Sequence, residues 1–179
     1  FEKKKSVMNG SENKQGLSAH KLIASQMNDP DQGLEYYKNE VQKVKDTTKT
    51  FNGLFAKKYF NNWLKKQELE DGNEIRLSTT KNLIENNRAE NLTYIETLKK
   101  KIIYAQNPDT QFAAEEELKT LLNSKKFSDL FGEKTDDVKK STKRDIAYYG
   151  YKNVPIDQRA GALEAAKKDD RLSTEDVEK

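Results

Sequence analysis

Apolar side chains in this chain recur at alternating intervals of three and four residues, and that spacing restricts it to helices. Leu34, Tyr37, Val41, Val44, Thr48, Phe51 and Phe55 hold the alternation, which draws one narrow stripe along a helix in the manner of a coiled-coil seam. Beyond Phe55 the stripe widens to take in Tyr59, Phe60, Trp63 and Leu64. A second set, Ile84, Arg88, Asn91, Ile95, Leu98, Ile102 and Ala105, repeats the pattern with a polar first half. Polar seam positions select register or partner at a cost in stability. No strand-like alternation of useful length occurs, so the expected class is all-α.

Turn chemistry divides the pattern into elements. Residues 1–16 are polar and contain two glycines, which predicts a flexible arm. Residues 17–123 are expected to form one helical domain. In it, Leu17–Met27 makes a short helix stopped by Asn28-Asp29-Pro30, because proline disfavours helical geometry in the residue before it. Asp31 then caps a helix running to about residue 68, with Gly53 as its weak point. Asp71-Gly72-Asn73 reads as a turn, and Ser78, Thr79 or Thr80 as the cap of a second long helix ending at Asn107-Pro108. Because the 71–77 connection is short, the two long helices are expected to fold back as an elongated antiparallel helical hairpin with a coiled-coil-like seam.

Asp109 is expected to cap a third helix carrying Phe112, Leu118, Leu121 and Leu122. Residues 124–179 read as a separate region of short helices. Its markers are a Phe127, Leu130, Phe131 cluster ended by Gly132, a polar helix over 135–149, and a short helix over 156–168. Tyr148-Tyr149-Gly150-Tyr151 reads as a loop with exposed rings. Ser173…Asp176 is a capping-box variant with three residues after it, so the chain is expected to continue past Lys179.

Hydrophobic residues make up 34% and charged residues 35%, where about 45–50% and about 25% are usual. Such a chain builds a thin core, and self-association or a protein partner is expected to complete it. The net charge of +3 is small beside 33 basic and 30 acidic groups, unlike the strong excess of a dedicated nucleic-acid binder. With no cysteine, disulfides, thiolate zinc sites and cysteine nucleophiles are excluded. No apolar run approaches the roughly 20 residues of a transmembrane segment. Lysine outnumbers arginine 28 to 5 and asparagine occurs 15 times, a bias that AT-rich codons produce.

Catalytic constellations are hard to assemble from these residues. His20 is the single histidine, with no companion ligands at metal-binding spacing. Ser18…Lys21 and Ser78…Lys81 share the serine–lysine spacing of penicillin-recognising enzymes but lack their companion strings, and helix capping explains them better. The acids at 115–117, 136–137 and 169–170 are neighbours that diverge by about 100° on a helix, so no run forms a catalytic pair. Glycine-rich phosphate loops are absent. No catalytic, cofactor or metal residue is assigned, and the expectation is a protein that is not an enzyme.

The strongest positive feature is Lys43–Lys66, with seven lysines against one acid, Asp46. Phe55, Tyr59, Phe60 and Trp63 are interleaved with Lys57, Lys58, Lys65 and Lys66, and these eight are the candidate partner-binding residues. Phe60 is turned about 100° from Tyr59, so one face cannot bury all four rings. A structural or adaptor subunit of a larger assembly is the favoured function, most simply a phage virion or scaffold component. The alternatives are a nucleic-acid-binding module that stacks bases on the rings and holds phosphates with the lysines, and an exported helical protein of a bacterial surface or secretion apparatus. A virion or the bacterial exterior is favoured over the cytoplasm.

Overall fold

A computed structural model describes residues 11–47 and 53–178. Among them every regular element is helical, and no strand occurs. In chain order they are α1 (Ser11–Ser25), α2 (Pro30–Thr47), α3 (Leu54–Ile103), α4 (Pro108–Asn123), α5 (Lys125–Phe131), α6 (Thr135–Lys152), α7 (Arg159–Ala166) and α8 (Thr174–Glu178), with single 3₁₀ turns before α6 and α7. The chain divides into two compact units, Phe1–Asn86 and Asn87–Lys179, and the division falls inside α3.

Several expected boundaries are overturned. The arm expected through Gly16 is already helical from Ser11. The helix expected over 31–68 is interrupted at Gly53, whose φ of 129° is costly for any other residue, and α3 starts afresh after it. The expected seam positions Thr48 and Phe51, with Lys49, lie outside the described residues. The hairpin turn at 71–77 does not form, because α3 runs straight through it. Asp71 is buried there, accepting the Tyr37 hydroxyl and pairing with Lys21 at 2.9 Å. Gly72 lies against Leu34 and Ile75 enters the core. These contacts outweigh the local turn preference. Ser78, Thr79 and Thr80 are therefore interior to α3, and the Thr79 hydroxyl donates back to the Ile75 carbonyl at 2.7 Å.

In the first unit, Leu17 and Ala24 of α1, Leu34, Tyr37 and Val41 of α2, and Phe60, Leu64 and Ile75 of α3 form the core. The α1–α2 turn is capped by Asp29, which accepts from the Asp31 and Gln32 amides at 2.8 and 3.2 Å, rather than by Asp31. Pro30 opens α2, where its missing N–H costs nothing. Gly33 lets the helices close up: a Cβ there would lie 2.8 Å from the Ala24 carbonyl oxygen and 3.2 Å from Thr79. The Asn82 amide donates to the Ser25 carbonyl at 2.9 Å, satisfying one of the orphan acceptors at the end of α1.

In the second unit, Ile95, Leu98 and Ile102 of α3 pack with Ala114, Leu118 and Leu122 of α4 and with Phe127 and Phe131 of α5, whose rings are 4.4 Å apart. The expected greasy half of the second seam is therefore core. Arg88, on its polar half, donates to the Leu130 carbonyl at 2.8 Å. Asn107, not Asp109, caps α4, with Pro108 at its first position. Gly132 ends α5 with φ 55°. Residues 148–151 belong to α6 rather than to a loop, and Tyr151 turns to Asp169 at 3.1 Å. At the start of α8 the Ser173 amide donates to the Asp176 carboxylate at 3.0 Å and the Asp176 amide to the Ser173 hydroxyl at 3.2 Å, a reciprocal capping box.

Candidate partner-docking face

The eight candidate residues all lie on the first turns of α3, and the helix sorts them by angle. At about 100° per residue, Phe60, Leu64, Asp71 and Ile75 fall within a sector of about 60°. All four are buried. Phe55, Tyr59, Leu69 and Leu77 fall within a sector of about 80° on the opposite side. These four are 87%, 68%, 68% and 73% exposed, and Leu54 beside them is 82% exposed. This part of α3 thus has two apolar sides, of which the unit uses one.

The rings do not act as a single group. Phe60 is core, and Trp63 lies half-buried at its edge with ring centroids 5.7 Å apart. Phe55 and Tyr59 point to solvent. Of the candidate lysines, Lys57, Lys58, Lys65 and Lys66 are all exposed. Lys58 and Lys65, with Arg76, form a row about 20° wide along one edge of the outward side. Lys66 sits within that side, 3.6 Å from Glu70.

Two further lysines of the basic stretch are engaged elsewhere. Lys43 pairs with Glu40 at 2.6 Å and Lys45 with Glu68 at 2.7 Å. The hydrogen bond from Lys43 holds the Glu40 carboxyl below its ordinary range. Among the described residues of the stretch, those on α3 present cations beside the exposed rings.

Sequence reasoning missed the polar network inside the first unit. Lys21 bridges Asp71 and Glu74, Tyr37 donates to Asp71, and His20 bonds the Tyr36 hydroxyl at 2.7 Å and lies 3.5 Å from Glu40. Burial first, and then the Asp71 hydrogen bond, pushes the Tyr37 phenol far above its usual range. The only signal in the sequence was Asp71 falling at core spacing between Leu64 and Ile75.

In the second unit a cleft of about 560 Å³ opens between α6, α7 and α8. Its Tyr148, Tyr151, Lys152 and Asp176 are each bonded within the unit. They read as structural fastenings. Among the described residues, no cluster of His, Asp or Glu is placed to hold a metal ion, and no helix is long and apolar enough to cross a membrane. No protein-family model, curated protein or solved structure matches the chain.

Proposed function

We propose that this chain is a non-enzymatic structural or adaptor subunit of a larger assembly, and that the outward side of α3 in the first unit is its docking surface. One observation carries the reading: Phe55, Tyr59, Leu69 and Leu77 stand exposed at helical spacing on the side of α3 that the core leaves unused. Single exposed apolar residues are ordinary, but an aligned group of them marks an interaction surface. The lysine- and asparagine-rich composition suits a virion or scaffold component, or a helical protein of the bacterial exterior.

A second reading is a polyanion site, favoured by the exposure of Phe55 and Tyr59 among Lys57, Lys58, Lys65 and Lys66. A photo-crosslinking residue placed at Tyr59 or Leu69 separates the two. In the native source the docking reading expects a covalent protein adduct at these positions and none at Lys126, an exposed control. A nucleic-acid adduct supports the second reading. Absence of any adduct overturns both.

A further inference from the structure

The charges along the outward side of α3 identify the kind of partner it fits. We infer that this face, if it is the docking surface proposed above, takes an acidic amphipathic helix whose apolar stripe meets Phe55, Tyr59, Leu69 and Leu77 and whose carboxylates meet Lys58, Lys65 and Arg76.

Three features support a helix as the occupant. The outward stripe is Phe55, Tyr59, Asn62, Lys66, Leu69, Asn73 and Leu77, and its spacing of three and four is what a second helix needs to set knobs into holes. The stripe is about 33 Å long, so about three heptads of a partner helix would cover it. Asn62 and Asn73 are exposed within the stripe. Polar residues at seam positions select one register.

Charge then decides which helix. Between Leu54 and Leu77 the outward half of α3 carries Lys58, Lys65, Lys66 and Arg76 against a single acid, Glu70. Glu74 is turned to Lys21 and Glu68 to Lys45. A second copy of the chain would set this positive face against itself, and juxtaposed like charges oppose association. Glutamates along one edge of a partner would instead meet the Lys58, Lys65, Arg76 row, while the Lys66 stem lies along the apolar seam with its ammonium at the rim. Nucleic acid fits less well. Leu54, Leu69 and Leu77 offer a base nothing to stack on, and Glu70 stands where a phosphate backbone would run.

The experiment uses the full chain and three probes in fluorescence anisotropy. These are a synthetic peptide of about four heptads with leucine at the seam and glutamate at both edges, its counterpart with lysine at the edges, and single-stranded oligo-dT. The acidic peptide is expected to bind, more weakly as salt rises, and the lysine peptide not to bind. The K58E/K65E/R76E variant should lose the acidic peptide by roughly tenfold or more and gain the lysine peptide. F55S/L69S should abolish binding of the acidic peptide. Far-ultraviolet circular dichroism and the Trp63 fluorescence of each variant confirm that the first unit stays folded. Equal binding of both peptides, or tighter binding of oligo-dT than of the acidic peptide, overturns the inference. If neither peptide binds while a crosslinker at Tyr59 traps a second copy, the acidic partner is wrong and the docking reading stands. If neither peptide binds and nothing is trapped, both fail.

Discussion

The Lys99 ammonium lies 2.7 Å from the Asp145 carboxylate, 46 positions away in the chain, and its side chain is 8% exposed. Burial alone would depress the lysine pKa. The hydrogen bonds to Asp145 and Glu96 outweigh it, and the pKa rises. The pair fastens α3 to α6 beside the Ile95, Leu98, Ile102 core. Lys99→Ala removes the ion pair and leaves a cavity, and should cost about 3 kcal/mol. Lys99→Met keeps the packing of the stem, and Asp145, whose side chain is 31% exposed, can then be hydrated. The methionine variant should lose only about 1 kcal/mol. Urea midpoints of the two variants check the order; equal losses would contradict it.

Gly33 tests the close approach of three helices. An alanine is favoured over glycine in a helix by about 1 kcal/mol. Here, however, its methyl group would meet the Ala24 carbonyl oxygen at 2.8 Å, and backbone cannot turn aside as a side chain can. Gly33→Ala should therefore destabilise the first unit by a net 1 to 3 kcal/mol, roughly the usual cost of overpacking. The chain has one tryptophan, Trp63, packed at the edge of this core, so its fluorescence reports the unit's denaturant transition directly. Gly72→Ala is the control, since its nearest neighbour is the flexible end of Leu34 at 3.4 Å. That change should be neutral or mildly stabilising.

Tyr37 gives the first unit an alkaline limit. Its folded pKa is raised, so its contribution to stability is complete below the ordinary phenol pKa of about 10 and is lost progressively as pH climbs above that value. Tyr37→Phe removes one hydrogen bond to a charged group, a loss of about 1.5–3 kcal/mol at neutral pH. The variant should also lose the tyrosine's share of the fall in stability above about pH 10. Melting curves followed at Trp63 across that range decide it. Parallel wild-type and variant profiles would show that the buried phenol is not the titrating group.

Asp169 sets an acid limit at the other end of the chain. Hydrogen bonds from the Arg171 side chain, with smaller ones from its backbone and from Tyr151, hold the carboxyl well below its usual range against the effect of burial. A depressed folded pKa contributes stability above the unfolded value of about 3.9, and that stability is lost as pH falls below it. Asp169→Asn should loosen the segment between α7 and α8 at neutral pH and make amide exchange there much less sensitive to acidification. If exchange in the variant rises on acidification as steeply as in the wild type, the carboxylate is not what ties the segment down.

Helical content was legible because periodicity survives in any environment. Ile95, Leu98 and Ile102 stood out as a greasy seam by spacing alone, Phe127 and Phe131 as a local cluster, and the Ser173 box by two side chains three positions apart. The failures share a cause. Asp71-Gly72-Asn73 carries turn chemistry, yet Tyr37 and Lys21 hold Asp71 from 34 and 50 positions away, contacts that no local window contains. In the same stretch, Phe55 with Tyr59 and Phe60 with Leu64 each satisfy helical spacing. Periodicity offered both sides of α3, and only the packing of α1 and α2 decided which one stayed wet.

The buried Tyr37–Asp71 pair, with the half-buried Lys21 beside it, also bears on how the first unit yields to mechanical load. An apolar interface can slip by one residue and re-form with a modest penalty, because one aliphatic contact resembles the next. Sliding α3 by one position would swing Asp71 about 100° away from both partners, leaving the Tyr37 phenol unpaired in the core and taking from Lys21 one of its carboxylates. Among the described residues, no buried side-chain nitrogen or oxygen lacks a partner at present, so creep has no intermediate stopping point. Under tension along α3 the unit should hold its alignment and then rupture in one step, as a latch does, rather than ratchet.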